Sequence, residues 1–372
     1  RSVSRGLGDV YKRQVLILLL FILSSAIYFQ ACTKEEQRDT THFNFADLPY
    51  ETLAEYDFFE GNIVNLEPVS DVLPYKINTP LFSDYAQKAR FIYIPKGSAA
   101  VYNGEDIFDF PVGTTIIKTF YYNHDFRDET KGRRIIETRL LIRLEDEWDS
   151  HSYLWNDEQT AATFSLVGRQ TQVEWIHYDG TTRSTNYLIP NKNECKDCHK
   201  KDSVLVPIGP KARNINSNYD YADGTMNQLD KWAAMGYLSN NPNSADAPKT
   251  PLWSDPNSGT LNERARAYLD TNCGHCHNPE GDADNSGLSL YYHEENLTAL
   301  GVCKPPVAAG GGSGGFAYAI VPGQPEESIM PFRMNSVELD VAMPELARSV
   351  VHEEGVALIK EWIASMDGPD CL

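Results

Sequence analysis

Between residues 45 and 190 the apolar side chains come in short runs, rich in β-branched and aromatic residues and broken by frequent turn residues. FIYIP over 91–95, TTIIKTFYY over 114–122, IIETRLLIRL over 135–144 and VEWIHY over 173–178 each predict a strand. Asp179-Gly180, between VEWIHY and TTRSTNYLI, predicts a hairpin turn. An antiparallel β-sandwich or small barrel follows for residues 45–190. Beyond that point the period changes. NQLDKWAAMGYL over 227–238 predicts a helix weakened by Gly236 and stopped by Asn241-Pro242. NERARAYLDTN over 262–272 and HEEGVALIKEWIASM over 352–366 predict two more, the last with Val356, Ile359, Trp362 and Ile363 on one face. Residues 242–260, rich in Pro, Asn and Ser, read as a linker, and GGGSGG over 310–315 as a flexible loop. The expected fold class is multidomain α+β: a β-rich domain (45–190), a first small unit (191–241), the linker, and a mainly α domain (261–372).

The N-terminus reads differently. Residues 1–14 resemble translated adapter sequence and are set aside from fold reasoning. The apolar run 15–31 has the length of a secretory signal core and falls short of the roughly 20 residues a membrane span needs. It ends in Ala31-Cys32, which resembles a lipoprotein signal in which Cys32 receives the lipid; ordinary secretion is the alternative. The polar stretch 32–44 then reads as a tether. The expected location is the cell envelope after export, lipid-anchored on an outer-membrane, periplasmic or cell-surface face.

Charge narrows the partners. The chain carries 33 Lys and Arg against 52 Asp and Glu, a net −19. That argues against nucleic acid and against anionic membrane surfaces, leaving a lipid anchor as the only membrane attachment. It fits a basic partner protein, and equally a plain solvated surface.

Two short strings carry the chemistry: CKDCH over 195–199 and CGHCH over 273–277. Each is C-x-x-C-H, the attachment pattern of c-type haem. Two thiols add to the vinyl groups of one haem, and the adjacent His is held beneath the iron. Cys195, Cys198, Cys273 and Cys276 are therefore the expected thioether residues, and His199 and His277 the expected iron ligands, for two covalently bound haem c groups. A zinc ribbon needs its C-x-x-C pairs about 15–20 residues apart, whereas Cys195 and Cys273 are 78 apart. Of seven cysteines, removing these four and Cys32 leaves Cys303 and Cys371, which an exported chain could join as a disulfide.

The last hundred residues resemble a class I cytochrome c domain, in which a helix leads into C-x-x-C-H and a C-terminal helix crosses it. Tyr268 and Trp362 suit that crossing. The segment PGQPEESIMPFRMNSVELDVAMPEL resembles the stretch that supplies a distal Met. Met343, before Pro344, is the expected sixth ligand, with Met334 and Met330 as alternatives. A His/Met pair raises the reduction potential and closes the iron to outside ligands. For the first haem the distal position stays open among Met226, Met235, His177 and no ligand at all.

The ordered set of FPVGTTIIKTF, ETRLLIR, NECKDCH, NQLDKW, NCGHCHNPEG and MPEL…KEWI, behind a lipoprotein-type signal, is similar to a family of bacterial dihaem c-type cytochrome lipoproteins. FPVGTTIIKTF also resembles, over that one segment, a strand of the P460-type β-fold. The family resemblance implies haem loading and an envelope location, and no substrate. Electron transfer with an envelope redox partner is the expected function, rather than catalysis. The alternatives are a haem oxidoreductase or peroxidase whose open first haem is fed by the second, and a glycan- or partner-binding lipoprotein with accessory haems.

Overall fold

The β-branched runs pair into one large sheet. In the computed structural model, which describes residues 43–201, 204–307, 310–346 and 348–371, the strands are β1 (Val72–Tyr75), β2 (Gln87–Tyr93), β3 (Ala100–Val101), β4 (Thr115–Asn123), β5 (Arg133–Arg143), β6 (Trp148–Trp155), β7 (Ala162–Ser165), β8 (Arg169–Ile176) and β9 (Thr182–Ile189). The apolar run 15–31, Cys32 and most of the tether lie outside the described residues. A six-stranded antiparallel sheet runs β1-β2-β4-β5-β6-β7, and β8 pairs with β9 as a separate hairpin. Gly180, at φ 83°, makes the β8–β9 turn.

Alternation along the strands gives the sheet two unlike faces. One face, with Phe91, Ile117, Leu140 and Tyr153, is covered by the N-terminal residues Leu53, Tyr56 and Phe58. The other carries two apolar patches. Ile92, Ile94 and Ile116 meet Ile215, Leu229 and Trp232, while Phe120 and Tyr122 meet Val173, Trp175 and Tyr187 of the hairpin. Between the patches lies a charged band. The register sets Arg90 beside Lys118 and Lys118 beside Arg139 across three strands.

The chain then leaves the sheet through α1 (Lys192–His199), β10 (Lys200–Lys201), β11 (Val204–Leu205), α2 (Ala212–Ile215), β12 (Asn218–Tyr221), β13 (Gly224–Asn227), α3 (Gln228–Ala234) and β14 (Leu238–Ser239). The α3 helix stops earlier than its apolar period predicts. Gly236, at φ 75°, takes the left-handed position that ends a helix, and Leu238-Ser239 pairs with β3 instead. The stretch 242–260 is laid against the core. Asn216 Nδ2 donates to the Ser244 and Ala247 carbonyls, and Thr79 Oγ1 donates to that of Pro251.

Three more helices complete the fold: α4 (Leu261–Asn272), α5 (Ile329–Met334) and α6 (Glu353–Ala364). Thr260 and Glu263 close a capping box on α4. Tyr268 and Leu269 of α4 bury against Ile359, Trp362 and Ile363 of α6, and Trp362 Nε1 donates to Asn262 Oδ1 at 2.9 Å. A glycine permits this approach: a Cβ at Gly355 would stand 2.3 Å from the Tyr268 hydroxyl. Gly355→Ala is therefore expected to cost about 1–3 kcal/mol, measured by urea unfolding, because buried Tyr268 has little room to retreat. Cys303 is disulfide-bonded to Cys371, with Cα atoms 5.2 Å apart. Gly310–Ser313, inside the glycine-rich stretch, forms a 3-10 turn. Among the described residues no helix is long and apolar enough to cross a membrane.

The helical part is fastened to the sheet side. Asp84 Oδ1 accepts from the Ser349 and Val350 amides at 2.7 and 3.1 Å, and Tyr85 donates to Glu354 at 2.8 Å. Phe82 stacks on His352 at 4.2 Å, and the His352 ring Nδ1 lies 2.9 Å from the Tyr268 hydroxyl. Burial pulls the His352 pKa below its ordinary value, against the opposing pull of Glu354 at 3.7 Å. A His depressed in the folded state binds fewer protons folded than unfolded, so its neutral form favours folding. That stability is complete above about pH 6.5 and is lost as pH falls below it. The melting temperature should drop between about pH 6.5 and pH 5, and His352→Gln should drop less over the same interval.

Candidate functional site

The first C-x-x-C-H string lies on a helix. Asn191 Oδ1 accepts from the Asn193 and Glu194 amides, and Glu194 Oε2 accepts from the Asn191 amide, so α1 starts directly after β9. Spacing of three and four residues sets Cys195, Cys198 and His199 on one helical face. The His199 Nδ1–H donates to the Val206 carbonyl at 2.8 Å, while the Val206 amide donates back to the His199 carbonyl at 2.8 Å. A carbonyl can only accept, so Nδ1 carries the proton and Nε2 keeps a free lone pair. Burial pushes the His199 pKa down to about 3, so the ring is neutral.

The second string follows α4 without a break. The His277 amide donates to the Cys273 carbonyl at 2.9 Å, and the Leu290 amide donates to the His277 carbonyl at 2.9 Å. His277 Nδ1 lies 2.9 Å from Ser286 Oγ. That hydroxyl spends its own proton on the Ala283 carbonyl at 2.6 Å, so it accepts from Nδ1–H and Nε2 is again left free. Burial also pushes His277 down to about 4. Both histidines thus hold the neutral tautomer that a metal ligand needs, each fixed by a partner behind the ring.

None of the four motif cysteines is disulfide-bonded. Burial pushes Cys273 and Cys276 up to about 12 and raises Cys195 as well. Such thiols stay protonated near neutral pH, which does not suit a thiolate nucleophile. Among the described residues no three His, Cys, Asp or Glu side chains converge as a metal-ion cage. The arrangement offers two separate Cys/Cys/His sets, the donor chemistry that a thioether-linked haem uses.

The fold brings these sets together across 78 residues of sequence. Lys200 pairs with Asp282 at 2.9 Å and Lys201 with Glu280 at 2.8 Å, so the loops after the two motifs lie side by side. Both pairs are half-exposed and record proximity more than stability, at about 0–1 kcal/mol each. A cleft at the junction is lined by Cys198, His199, Lys211, Asp270, His275 and Tyr291. Sequence reading passed over His275 because it fills a variable position of CGHCH. Its buried Nδ1 has no hydrogen-bond partner among the described residues.

The distal candidates separate by place. Met343 lies on a half-buried loop whose amide donates to the Arg333 carbonyl at 3.1 Å. That loop runs beside the second motif: Arg333 acts on His277, and Glu345 acts on Cys276. Met334 is sealed in the apolar core between α4 and α6, and Met330 packs against that core. For the first motif, His177 has both nitrogens committed. Trp175 Nε1–H donates to Nδ1 at 3.2 Å, and Nε2 faces Glu354 at 3.4 Å. Met226 is exposed on β13, and Met235 packs against the cluster under α3. No family model, curated protein or solved structure matches the chain.

Proposed function

We propose that the chain is a dihaem c-type cytochrome that passes electrons in the bacterial cell envelope. One observation carries the reading. Twice, a C-x-x-C pair outside any disulfide precedes a neutral His whose Nδ1–H is engaged and whose Nε2 is left as the lone-pair nitrogen. Haem bound there supplies a one-electron iron couple. Cys195 and Cys198 would tether one group with His199 on its iron, and Cys273 and Cys276 the other with His277. Val206 and Ser286 orient the two rings, and Met343 is the proposed sixth ligand of the second iron. Helix α4 leading into the motif and crossed by α6 supports the class I cytochrome c likeness of the last domain. The six-stranded sheet with the β8–β9 hairpin against it is read as a partial sandwich. Export and lipid attachment at Cys32 belong to the same proposal, resting on the signal-like run, as does an acidic surface suited to a basic redox partner.

A second reading, an oxidoreductase or peroxidase with an open first haem, is favoured by the cleft at Cys198 and His199, which Lys211, Asp270 and His275 also line. A carbon monoxide difference spectrum of the reduced protein, expressed with c-haem maturation and normalised to haem per chain, separates the two. Two covalent haems that both ignore carbon monoxide are the expected result. Binding at half the haem would favour the enzyme, and fewer than two covalent haems would overturn the dihaem assignment.

A further inference from the structure

Among the described residues, the charged band on the sheet gathers more cations than carboxylates. Lys88, Lys118 and Arg139 gather over one ring, with their charged groups 5.9, 4.9 and 4.4 Å from the centre of Phe120. Arg90 stands next to Lys118 across the β2–β4 pair. Among the described residues, Glu137 and Asp84 are the carboxylates near this band, and each already accepts hydrogen bonds from elsewhere. Glu137 is fully buried and holds Arg139 through both oxygens, at 2.5 and 2.8 Å, while also accepting from Tyr187. Asp84 Oδ1 is taken by the Ser349 and Val350 amides. Lys88 Nζ meets only the Leu81 carbonyl, and among the described residues neither Lys118 nor Arg90 has an ion-pair partner.

Such a cluster is unfavourable by itself. Burial and the neighbouring cations depress Lys88, and they push Lys118 down to about 7. The chain carries a net −19, yet among the described residues no carboxylate is ion-paired to Lys118 or Arg90. Arg90 is buried and Lys88, Lys118 and Arg139 are half-buried, and cations so crowded are paired or lose their charge, so the face suits an anion from outside the chain. It also looks onto the first motif: Arg139 acts on Cys195, and Lys118 acts on Cys198, His199 and His275.

We propose that Lys88, Arg90 and Lys118, in line with Arg139, seat the two propionate carboxylates of the haem tethered at Cys195 and Cys198. The inference rests on the dihaem reading and assigns the sheet a role in it. The β-rich part forms the charged wall of the first haem site, and its cations hold that haem at a higher potential by stabilising the electron-rich ferrous state. Arginine and lysine hydrogen-bond carboxylates strongly where water is excluded, so position and charge are set together.

The test uses matured full-length protein. Lys118→Met keeps the length of the side chain and removes its charge, and Lys118→Arg restores the charge. Spectroelectrochemistry should show one of the two potentials lowered in Lys118→Met, unmoved at the other haem, and recovered in Lys118→Arg. Resonance Raman should show the propionate bending bands of one haem shifted in Lys118→Met alone. Two covalent haems with unmoved potentials and bands would overturn this proposal while leaving the dihaem reading intact. A change of axial ligation in Lys118→Met would likewise overturn it, making Lys118 an iron ligand instead. Wild-type propionate bands matching water-exposed haem would overturn it without any variant. A chain carrying no covalent haem would remove both readings.

Discussion

Asp270→Asn is expected to destabilise the fold by about 3–5 kcal/mol, the cost of stranding a buried charge. Asp270 on α4 receives Arg213 of α2 through both carboxylate oxygens, at 3.0 and 3.1 Å, and both side chains are almost wholly buried. The Tyr292 amide adds a third bond to Oδ1 at 3.0 Å. With the carboxylate neutralised, the Arg213 guanidinium keeps only the Glu105 carbonyl and the half-exposed Glu105 carboxylate at 3.4 Å. The pair fastens the segment after the first motif to the helix that leads into the second, so its loss should also loosen the junction between them. Urea unfolding of matured protein measures the effect. Removing both charges, as Arg213→Met with Asp270→Leu, should recover most of the stability, because no unpaired charge is then left buried. A loss below about 1 kcal/mol for Asp270→Asn would show that water reaches this pair.

On the dihaem proposal, Cys273→Ser with Cys276→Ser is expected to halve the covalent haem, from two groups per chain to one, and to leave the haem at Cys195 and Cys198 in place. The two thiol pairs are built on different scaffolds. One lies on α1, capped by Asn191 and Glu194; the other lies in the turn that ends α4, where the Cys273 and Gly274 amides both donate to the Leu269 carbonyl. Neither scaffold uses the other's thiols. Mass spectrometry of the denatured chain and its alkaline pyridine spectrum would read the count. The second potential should vanish and the first persist, shifted by the loss of a neighbour whose motif loop is ion-paired to its own. Loss of both haems would mean that the two sites mature as one unit.

Much of the local structure was legible along the chain. The strands at 114–122 and 135–144 become β4 and β5, the Asp179-Gly180 turn closes β8 onto β9, and the charged helix before CGHCH becomes α4. These signals are local, because alternation, turn chemistry and capping act within a few residues. Other features were hidden. Pro74 interrupts β1, and β6 and β7 mix Asp, Ser, His and Thr into short runs, so only their sheet neighbours make them strands. The α3 helix looked longer in sequence because its apolar period continues past Gly236 into residues that pair with β3. Residues 242–260 carry the composition of a linker, yet their carbonyls are taken by side chains from distant segments.

By itself the sequence determined which residues can carry the chemistry: two C-x-x-C-H strings, whose spacing is a local property of the chain, and a leftover pair of cysteines. Tertiary structure decided everything that depends on distance across the fold. It placed the two motifs beside each other, chose Val206 and Ser286 to set the imidazole tautomers, and committed His177 to Trp175 and Glu354. It also aligned Arg90, Lys118 and Arg139 into one row, with Arg90 buried and the other two half-buried. In sequence these three are ordinary charged residues at alternating strand positions. Only the register between strands makes them neighbours, and crowding on a partly buried face makes their charge demand a partner.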